Sequence, residues 1–134
     1  MTKKHVLVGD IDCGSDQLFL IAGPCVIEAE PLMMRTAERL KEIAASLGIS
    51  VIYKSSFSKD NRSSLEFYQG PGLEEGLKLL AKVKKEFELP ILTDIHYPYQ
   101  AAPAAEVVDV IQIPAYLCMQ SELVVAAAKT GAVV

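Results

Sequence analysis

Short apolar runs alternate with amphipathic stretches along most of the chain. Three runs rich in β-branched residues predict strands: ISVIY at 49–53, PILTDI at 90–95 and DVIQIP at 109–114. Helical spacing of the apolar positions predicts helices over 31–48, 72–87 and 120–130, and a shorter helix over 98–107. Strands that alternate with helices at this spacing indicate parallel βαβ units.

Two further apolar runs open the chain, HVLVG at 5–9 and FLIAG at 19–23. The segment DIDCGSDQ between them is rich in turn-forming residues, so the pattern predicts an N-terminal hairpin made by these two runs. The residues AVV at 132–134 begin another apolar run.

The order of elements fits two architectures. A doubly wound open sheet of five strands would be complete at this length, whereas a (β/α)8 barrel needs about 250 residues. Because the last residues begin a strand, the pattern favours about the first half of an α/β TIM barrel, with four βα units. The single domain would then have a hairpin region at 1–18 and the first βα units at 19–134.

Composition narrows the class of protein. A chain of 134 residues that is 51% hydrophobic can bury a core of its own. The net charge of −4 argues against nucleic acid and membrane surfaces as partners, and no apolar run approaches the roughly 20 residues that span a bilayer. Three cysteines without CxxC spacing disfavour a disulfide framework. We expect a soluble, cytoplasmic protein in which any anion-binding site is local.

Polar residues follow the predicted strands at their C-terminal ends: Cys25, Lys54, Asp94, His96 and Gln112. In parallel sheets and barrels these ends meet at one edge, where functional sites collect. Each residue also has a structural alternative: a buried inert cysteine, a surface lysine, a helix-capping aspartate or a core histidine. One thiolate alone does not hold a metal ion. The convergence of these residues favours a functional site.

The loop KSSFSKDNRSS at 54–64 concentrates positive charge in an acidic chain. Lys54, Lys59 and Arg62 supply three cations, and the serine hydroxyls supply neutral hydrogen-bond donors. Neither GxxxxGKS/T nor GxGxxG occurs, so a nucleotide-binding loop is not supported. The loop predicts a phosphate or carboxylate site, and a solvated surface loop is the alternative.

The same loop, with IAGPCVIE before it and TDIH, DVIQIPAYLCMQ and AAAKTG after it, resembles the 3-deoxy-D-manno-octulosonate 8-phosphate synthases. The resemblance covers the whole chain. It implies a transferase with a (β/α)8 barrel closed at the bottom by an N-terminal hairpin. Such an enzyme condenses phosphoenolpyruvate with arabinose 5-phosphate and releases phosphate, in lipopolysaccharide precursor synthesis. It binds small phosphorylated substrates, uses no organic cofactor and forms a homotetramer.

Two alternatives stay open beside this resemblance. A related synthase that uses erythrose 4-phosphate shares the barrel and the reaction type. A non-catalytic, phosphate-binding half barrel would share the fold alone.

The resemblance also implies roles for individual residues. Phosphoenolpyruvate would be held by Lys54, Ser56 and Lys59. Arabinose 5-phosphate would be held by Asn61, Arg62 and Ser63, with Arg62 and Ser63 at its phosphate and reaching from a neighbouring subunit. The rest of the rim would be lined by Asp94, His96 and Gln112. The catalytic set would be Lys54, Asn61, Asp94 and His96.

Cys25 gains a role from the resemblance. The stretch GPC, with cysteine in place of asparagine, is similar to the metal-dependent branch and implies Cys25 as a ligand of a divalent metal such as Zn, Fe or Mn. The other ligands, and the cations for the phosphate of phosphoenolpyruvate, would lie beyond Val134, so we expect the chain alone to be inactive. Met119 stands where an arginine is usual, and Ser58 and Asp60 also depart from the pattern.

Overall fold

The computed structural model describes residues 4–64 and 66–134, which form two sheets and four α-helices. A small antiparallel sheet pairs β1 (Leu7–Val8) with β2 (Ile11–Asp12). The main sheet is parallel and contains β3 (Phe19–Ala22), β4 (Ser50–Lys54), β5 (Ile91–Asp94) and β6 (Val110–Gln112). The predicted strands over 49–53, 90–95 and 109–114 are therefore confirmed.

Each strand of the main sheet is followed by a helix. These are α1 (Glu30–Leu47), α2 (Leu73–Phe87), α3 (Ala101–Ala105) and α4 (Ser121–Lys129), and 3₁₀ turns lie at Pro98–Gln100 and Ala115–Leu117. All four helices were predicted, whereas the 3₁₀ turn at Ala115–Leu117 was not. Helix α3 forms although it contains Pro103, because Pro103 lies in the first turn of the helix, where a missing backbone N–H costs little.

The N-terminal hairpin differs from the predicted one. The run at 19–23 does not pair with the run at 5–9 but forms β3 beside β4. The hairpin partner is instead β2, which lies inside the predicted turn, and its two-residue loop contains Gly9 at a φ of 57°. Such loops favour positive φ because this matches the twist of the strands. The hairpin still lies within the predicted region 1–18, of which residues 1–3 are outside the described residues.

The order of the parallel strands separates the two predicted architectures. The strands lie in the order β3-β4-β5-β6, without the reversal that defines a doubly wound sheet. Val133 continues this order, because the Ile111 N–H donates to its carbonyl at 2.8 Å and its own N–H donates to Asp109 O at 3.3 Å. The described part of the chain is thus an α/β fold whose parallel sheet runs in chain order.

The two faces of the main sheet bury different side chains. Tyr53 and Ile91 belong to the large core that the sheet forms with the helices. Ile52 and Leu92 point to the other face and pack with Val8, so the hairpin covers part of that face. Within the described residues, no helix is both long and apolar enough to cross a membrane. The cytoplasmic location stays a prediction.

Candidate active site

A cavity of about 230 Å³ lies at the C-terminal ends of β5 and β6. Five residues predicted from the sequence line it: Lys59, Asn61, Asp94, His96 and Gln112. Tyr116, which was not predicted, also contributes to its wall. Of the five polar residues expected at this edge of the sheet, Asp94, His96 and Gln112 line the cavity, whereas Cys25 and Lys54 do not.

The backbone after β5 is held in place by hydrogen bonds. Ile95 N–H donates to Gln112 O at 3.1 Å, which ties it to the end of β6. The next two backbone N–H groups, of His96 and Tyr97, donate to the buried Gln100 Oε1 at 2.8 and 3.1 Å. These bonds fix the direction in which Asp94 and His96 leave the strand, which pre-organises this wall of the cavity.

A chain of polar contacts connects the ends of β4 and β5. Lys54 Nζ donates to Ser56 Oγ at 3.3 Å, and Ser56 Oγ donates in turn to Asp94 Oδ1. The other carboxylate oxygen, Asp94 Oδ2, lies 3.4 Å from His96 Nε2. Ser56, Asp94 and His96 are all buried. Buried polar groups that satisfy one another in this way form a rigid network.

The ionisation of the two charged members reflects this environment. Burial acts to raise the pKa of Asp94, but hydrogen bonds from His96 and Ser56 and the charges of Lys54 and Lys59 outweigh it and hold the pKa below its usual value. Burial lowers the pKa of Lys54, an effect that Asp94 opposes and Lys59 reinforces. The site therefore holds an ionised carboxylate at neutral pH beside a half-buried lysine.

One ring nitrogen of His96 has no hydrogen-bond partner within residues 4–64 and 66–134. Its side chain is 3% exposed, and Nδ1 is buried with no hydrogen-bond partner among the described residues. The ring meets Phe57 edge-on, with the centroids 6.4 Å apart. A buried polar atom of this kind requires an explanation, and a site for a bound hydroxyl group or water would supply one.

The predicted anion-binding loop divides into two environments. Ser55, Ser56 and Phe57 are fully buried, whereas Asn61 and Ser63 are exposed. Phe57 anchors the first part: a Cβ built on Gly76 of α2 would lie 2.3 Å from its Cβ, so the close packing of α2 against Phe57 requires glycine there.

Arg62 lies apart from the other predicted residues. Its Nε donates to Tyr68 O at 3.2 Å, and it lines a separate, open cleft of about 730 Å³ with Glu28, Phe67 and Tyr68. The cleft is larger than the cavity, but it lacks the buried Asp94 and His96. Arg62 is therefore not part of the same cavity as Asn61 and Lys59.

Cys25 is an exposed free cysteine at the end of β3. It follows Gly23, where a Cβ would lie 1.9 Å from Lys54 O, so glycine lets this turn approach β4 closely. Over residues 4–64 and 66–134, no group of three His, Cys, Asp or Glu side chains is placed to hold a metal ion. The described residues alone do not fit a metal site, because one thiolate is insufficient.

Two residues of the site were missed from the sequence. Gln100 supports the backbone of His96, and Tyr116 lines the cavity. Burial raises the pKa of Tyr116, as do the nearby negative charges of Asp60 and Asp94. An aromatic residue two positions after the proline that ends a predicted strand was a usable signal for Tyr116, whereas Gln100 carried none.

Comparison with known proteins identifies the family. Residues 2–134 match the model described as the DAHP synthetase I family. Relatives named 2-dehydro-3-deoxyphosphooctonate aldolase include those of Trichlorobacter lovleyi, 54% identical over 98% of this chain and 48% of the relative, and Shewanella oneidensis, 50% identical over 100% and 48%. The chain thus spans about half the length of the curated relatives it matches. 2-Dehydro-3-deoxyphosphooctonate aldolase is the other name of 3-deoxy-D-manno-octulosonate 8-phosphate synthase, so these relatives confirm the resemblance seen in the sequence. The chain belongs to the DAHP synthetase I family.

Proposed function

We propose that the protein condenses phosphoenolpyruvate with arabinose 5-phosphate to give 3-deoxy-D-manno-octulosonate 8-phosphate and phosphate. The observation that carries this proposal is the convergence of Lys59, Asn61, Asp94, His96 and Gln112 on one cavity. Relatives at 50–54% identity are named 2-dehydro-3-deoxyphosphooctonate aldolase, and this favours the eight-carbon product over others.

The cationic side of the site suits phosphoenolpyruvate. Lys59 lies close enough to Lys54 for its charge to lower the pKa of Lys54, so the two side chains form a compact positive region. In the proposed reaction C3 of phosphoenolpyruvate bonds to the aldehyde carbon, and the aldehyde oxygen takes up a proton. Water adds to C2 and loses its protons, and the bond between C2 and the phosphate ester oxygen breaks, which releases phosphate and leaves a ketone at C2. Cations placed before the reaction begins stabilise the charge that develops during these steps.

The polar side of the cavity suits the sugar and a water molecule. Asn61 offers an amide that can both donate to and accept from sugar hydroxyl groups. His96 is oriented by Asp94 through Nε2, which leaves Nδ1 to hold a hydroxyl group or water near the reacting atoms. Such a pair can move a proton to or from the bound group.

The proposal extends to the assembled enzyme. The sequential parallel order supports a (β/α)8 barrel of which this chain supplies part. The position of Arg62 outside the cavity suits a role at a neighbouring subunit's site in a homotetramer. Cys25 would contribute one ligand to a divalent metal whose other ligands lie outside the described residues. On this proposal, the 134 residues by themselves do not catalyse the condensation.

A phosphate-release assay tests this function. The full-length protein should release phosphate from phosphoenolpyruvate when arabinose 5-phosphate is present and not when it is omitted, while the 134-residue chain should release none. Asp94→Asn provides a site-directed control and should abolish most of the activity. If the isolated 134-residue chain releases phosphate, the claim that it cannot catalyse the condensation alone is wrong. If the full-length protein releases no phosphate, the proposed function is wrong.

A second candidate is the related condensation with erythrose 4-phosphate. The matching family model is described as the DAHP synthetase I family, and this description supports the erythrose 4-phosphate reaction as the second candidate. The same assay separates the two, because the aldose with the higher kcat/KM is the substrate. A preference for erythrose 4-phosphate would replace the first proposal.

A further inference from the structure

Asp60 is an exposed acidic residue between Lys59 and Asn61, which both line the cavity. Its carboxylate repels the phosphorylated substrates of the proposed reaction, and like charges at short range weaken binding. A negative charge at this position therefore requires another explanation, which the neighbours of Asp60 supply.

The loop around Asp60 is held on one side by residues 68–69. Lys59 N–H donates to Gln69 O at 2.8 Å, and Arg62 Nε donates to Tyr68 O at 3.2 Å. Neither of these bonds connects the loop to the residues after β5 and β6, which form the rest of the cavity wall. A contact in that direction is needed to keep Lys59 and Asn61 facing the cavity.

The carboxylate of Asp60 makes this contact with two tyrosines. Its charge and a hydrogen bond with the Tyr97 phenol raise the pKa of Tyr97, with lesser contributions from burial and from Tyr99. Burial raises the pKa of Tyr116, and the charge of Asp60 adds to this effect. Tyr97 follows β5 and Tyr116 follows β6, so Asp60 faces a phenol from each of the two segments.

Tyr97 is itself fixed in position. Its backbone N–H donates to Gln100 Oε1 at 3.1 Å, and the N–H of the preceding residue, His96, donates to the same oxygen at 2.8 Å. Its ring stacks on Tyr99, with the centroids 5.8 Å apart and the planes 16° from parallel. The Tyr97 phenol is therefore a firm anchor next to a residue of the cavity, although the ring is exposed.

We propose that Tyr97 and Asp60 are positioning residues whose hydrogen bond ties the loop at 58–63 to the turn after β5 and so holds Lys59 and Asn61 in the cavity wall. The two residues act through Lys59 and Asn61. The kinetic consequence rests on the proposed function, whereas the contact and its effect on the loop do not.

Three substitutions separate this contact from its surroundings. Tyr97→Phe keeps the ring and its stacking and removes only the O–H group. Tyr99→Phe is the matched control, because it removes the O–H group of the other ring in the stack while the hydrogen bond between Tyr97 and Asp60 remains. Asp60→Ala removes the acceptor. All three positions are exposed, so the midpoint of urea denaturation should not change.

The structural test uses NMR on the full-length protein. In Asp60→Ala, the pKa of Tyr97 should fall toward its ordinary value, because only Tyr99 and burial still act on it. Hydrogen exchange of the Lys59 amide should be faster in Tyr97→Phe and in Asp60→Ala, because the bond of this amide to Gln69 O opens more often when the loop is released. Tyr99→Phe should exchange at the unsubstituted rate.

The kinetic test uses the phosphate-release assay with the same proteins. Tyr97→Phe should raise KM for phosphoenolpyruvate and for arabinose 5-phosphate about three- to tenfold, with kcat changed by less than about twofold. Tyr99→Phe should leave both constants unchanged. In an Asp60→Ala background Tyr97→Phe should have no further effect, because its partner is already absent.

Each other outcome counts against the proposal. An unchanged pKa of Tyr97 in Asp60→Ala, or unchanged exchange of the Lys59 amide in Tyr97→Phe, would overturn it whatever the activity. Equal KM values for Tyr97→Phe and Tyr99→Phe, or additive effects of Tyr97→Phe and Asp60→Ala, would also overturn it. If the unsubstituted full-length protein releases no phosphate, the proposed function has failed, and the titration and the exchange rates still decide whether the contact holds the loop.

Discussion

Segment 54–64 is continuous in sequence but divides into two parts in the structure. The strand-end part, residues 54–57, continues β4, and Ser55, Ser56 and Phe57 are fully buried against the rest of the fold. The loop part, residues 60–63, is exposed along its whole length. The same kinds of side chain therefore occupy a rigid interior in one part and the protein surface in the other.

The difference separates two requirements of a site. Groups that take part in proton transfer and charge stabilisation need fixed positions, and these come from strands and buried hydrogen bonds. Groups that recognise a mobile, phosphorylated ligand can lie on a loop that a scaffold presents to solvent. On this view the strand-end part carries stability as well as function, while the loop part carries binding with little effect on stability.

The largest effect on stability should come from Phe57, which anchors the strand-end part. Phe57→Ala removes a fully buried ring and should lower the free energy of unfolding by about 3–5 kcal/mol, as measured by urea denaturation. Phe67→Ala is the matched control, because Phe67 is 56% exposed and its loss should cost under about 1 kcal/mol. Equal costs at the two positions would contradict the division of the segment.

A smaller and pH-dependent effect is expected from Asp94→Asn. The pKa of Asp94 is held below its ordinary value of 3.8, so the unfolded state binds the proton more readily and the ionised carboxylate stabilises the fold at neutral pH. Loss of its charged hydrogen bonds should lower the free energy of unfolding by about 1.5–3 kcal/mol.

The pH dependence of this difference follows from the direction of the shift. The contribution is fully present above pH 3.8 and disappears as the pH falls through the lower, folded-state value. Urea denaturation of both proteins at pH 7, 5 and 3 should give a constant difference at the first two values and a smaller one at the third. A difference that is the same at all three would show that Asp94 acts through packing alone.

Gly76→Ala should reveal how closely α2 packs on Phe57. An alanine in a helix interior normally stabilises by about 1 kcal/mol, but the added Cβ would lie 2.3 Å from Phe57 Cβ, and overpacking of this kind costs about 1–3 kcal/mol. We expect a net loss on the order of 1 kcal/mol in denaturation experiments, because the backbone must move. Lys85→Ala on the exposed face of the same helix should change stability by less than about 0.5 kcal/mol. A stabilised Gly76→Ala would refute the tight contact.

The sequence predicted the main sheet and part of the site, but not the hairpin pairing or the division of segment 54–64 into a buried and an exposed part. Periodicity located the main strands and helices, and position at strand ends was enough to bring Asp94, His96 and Gln112 to one cavity. It did not reveal the hairpin pairing, because Ile11 and Asp12 are too short a run to show alternation. It also did not distinguish buried from exposed serines, because burial of Ser56 depends on contacts with Ile27 and Asp94, which are distant in the sequence.

The smallest effect on stability is expected from Arg62→Ala in the loop part. Arg62 is exposed and donates one hydrogen bond to a backbone carbonyl, so the free energy of unfolding should change by less than about 0.5 kcal/mol. If the guanidinium binds the phosphate of the aldose, as proposed, KM for arabinose 5-phosphate should rise at least about tenfold.

Arg39→Ala is the control, because Arg39 is also exposed and pairs with Glu42 at 2.8 Å on α1, far from the loop in sequence. It should leave both stability and KM unchanged. If KM for arabinose 5-phosphate is the same in Arg62→Ala and Arg39→Ala, Arg62 does not bind the substrate and is a solvated surface residue.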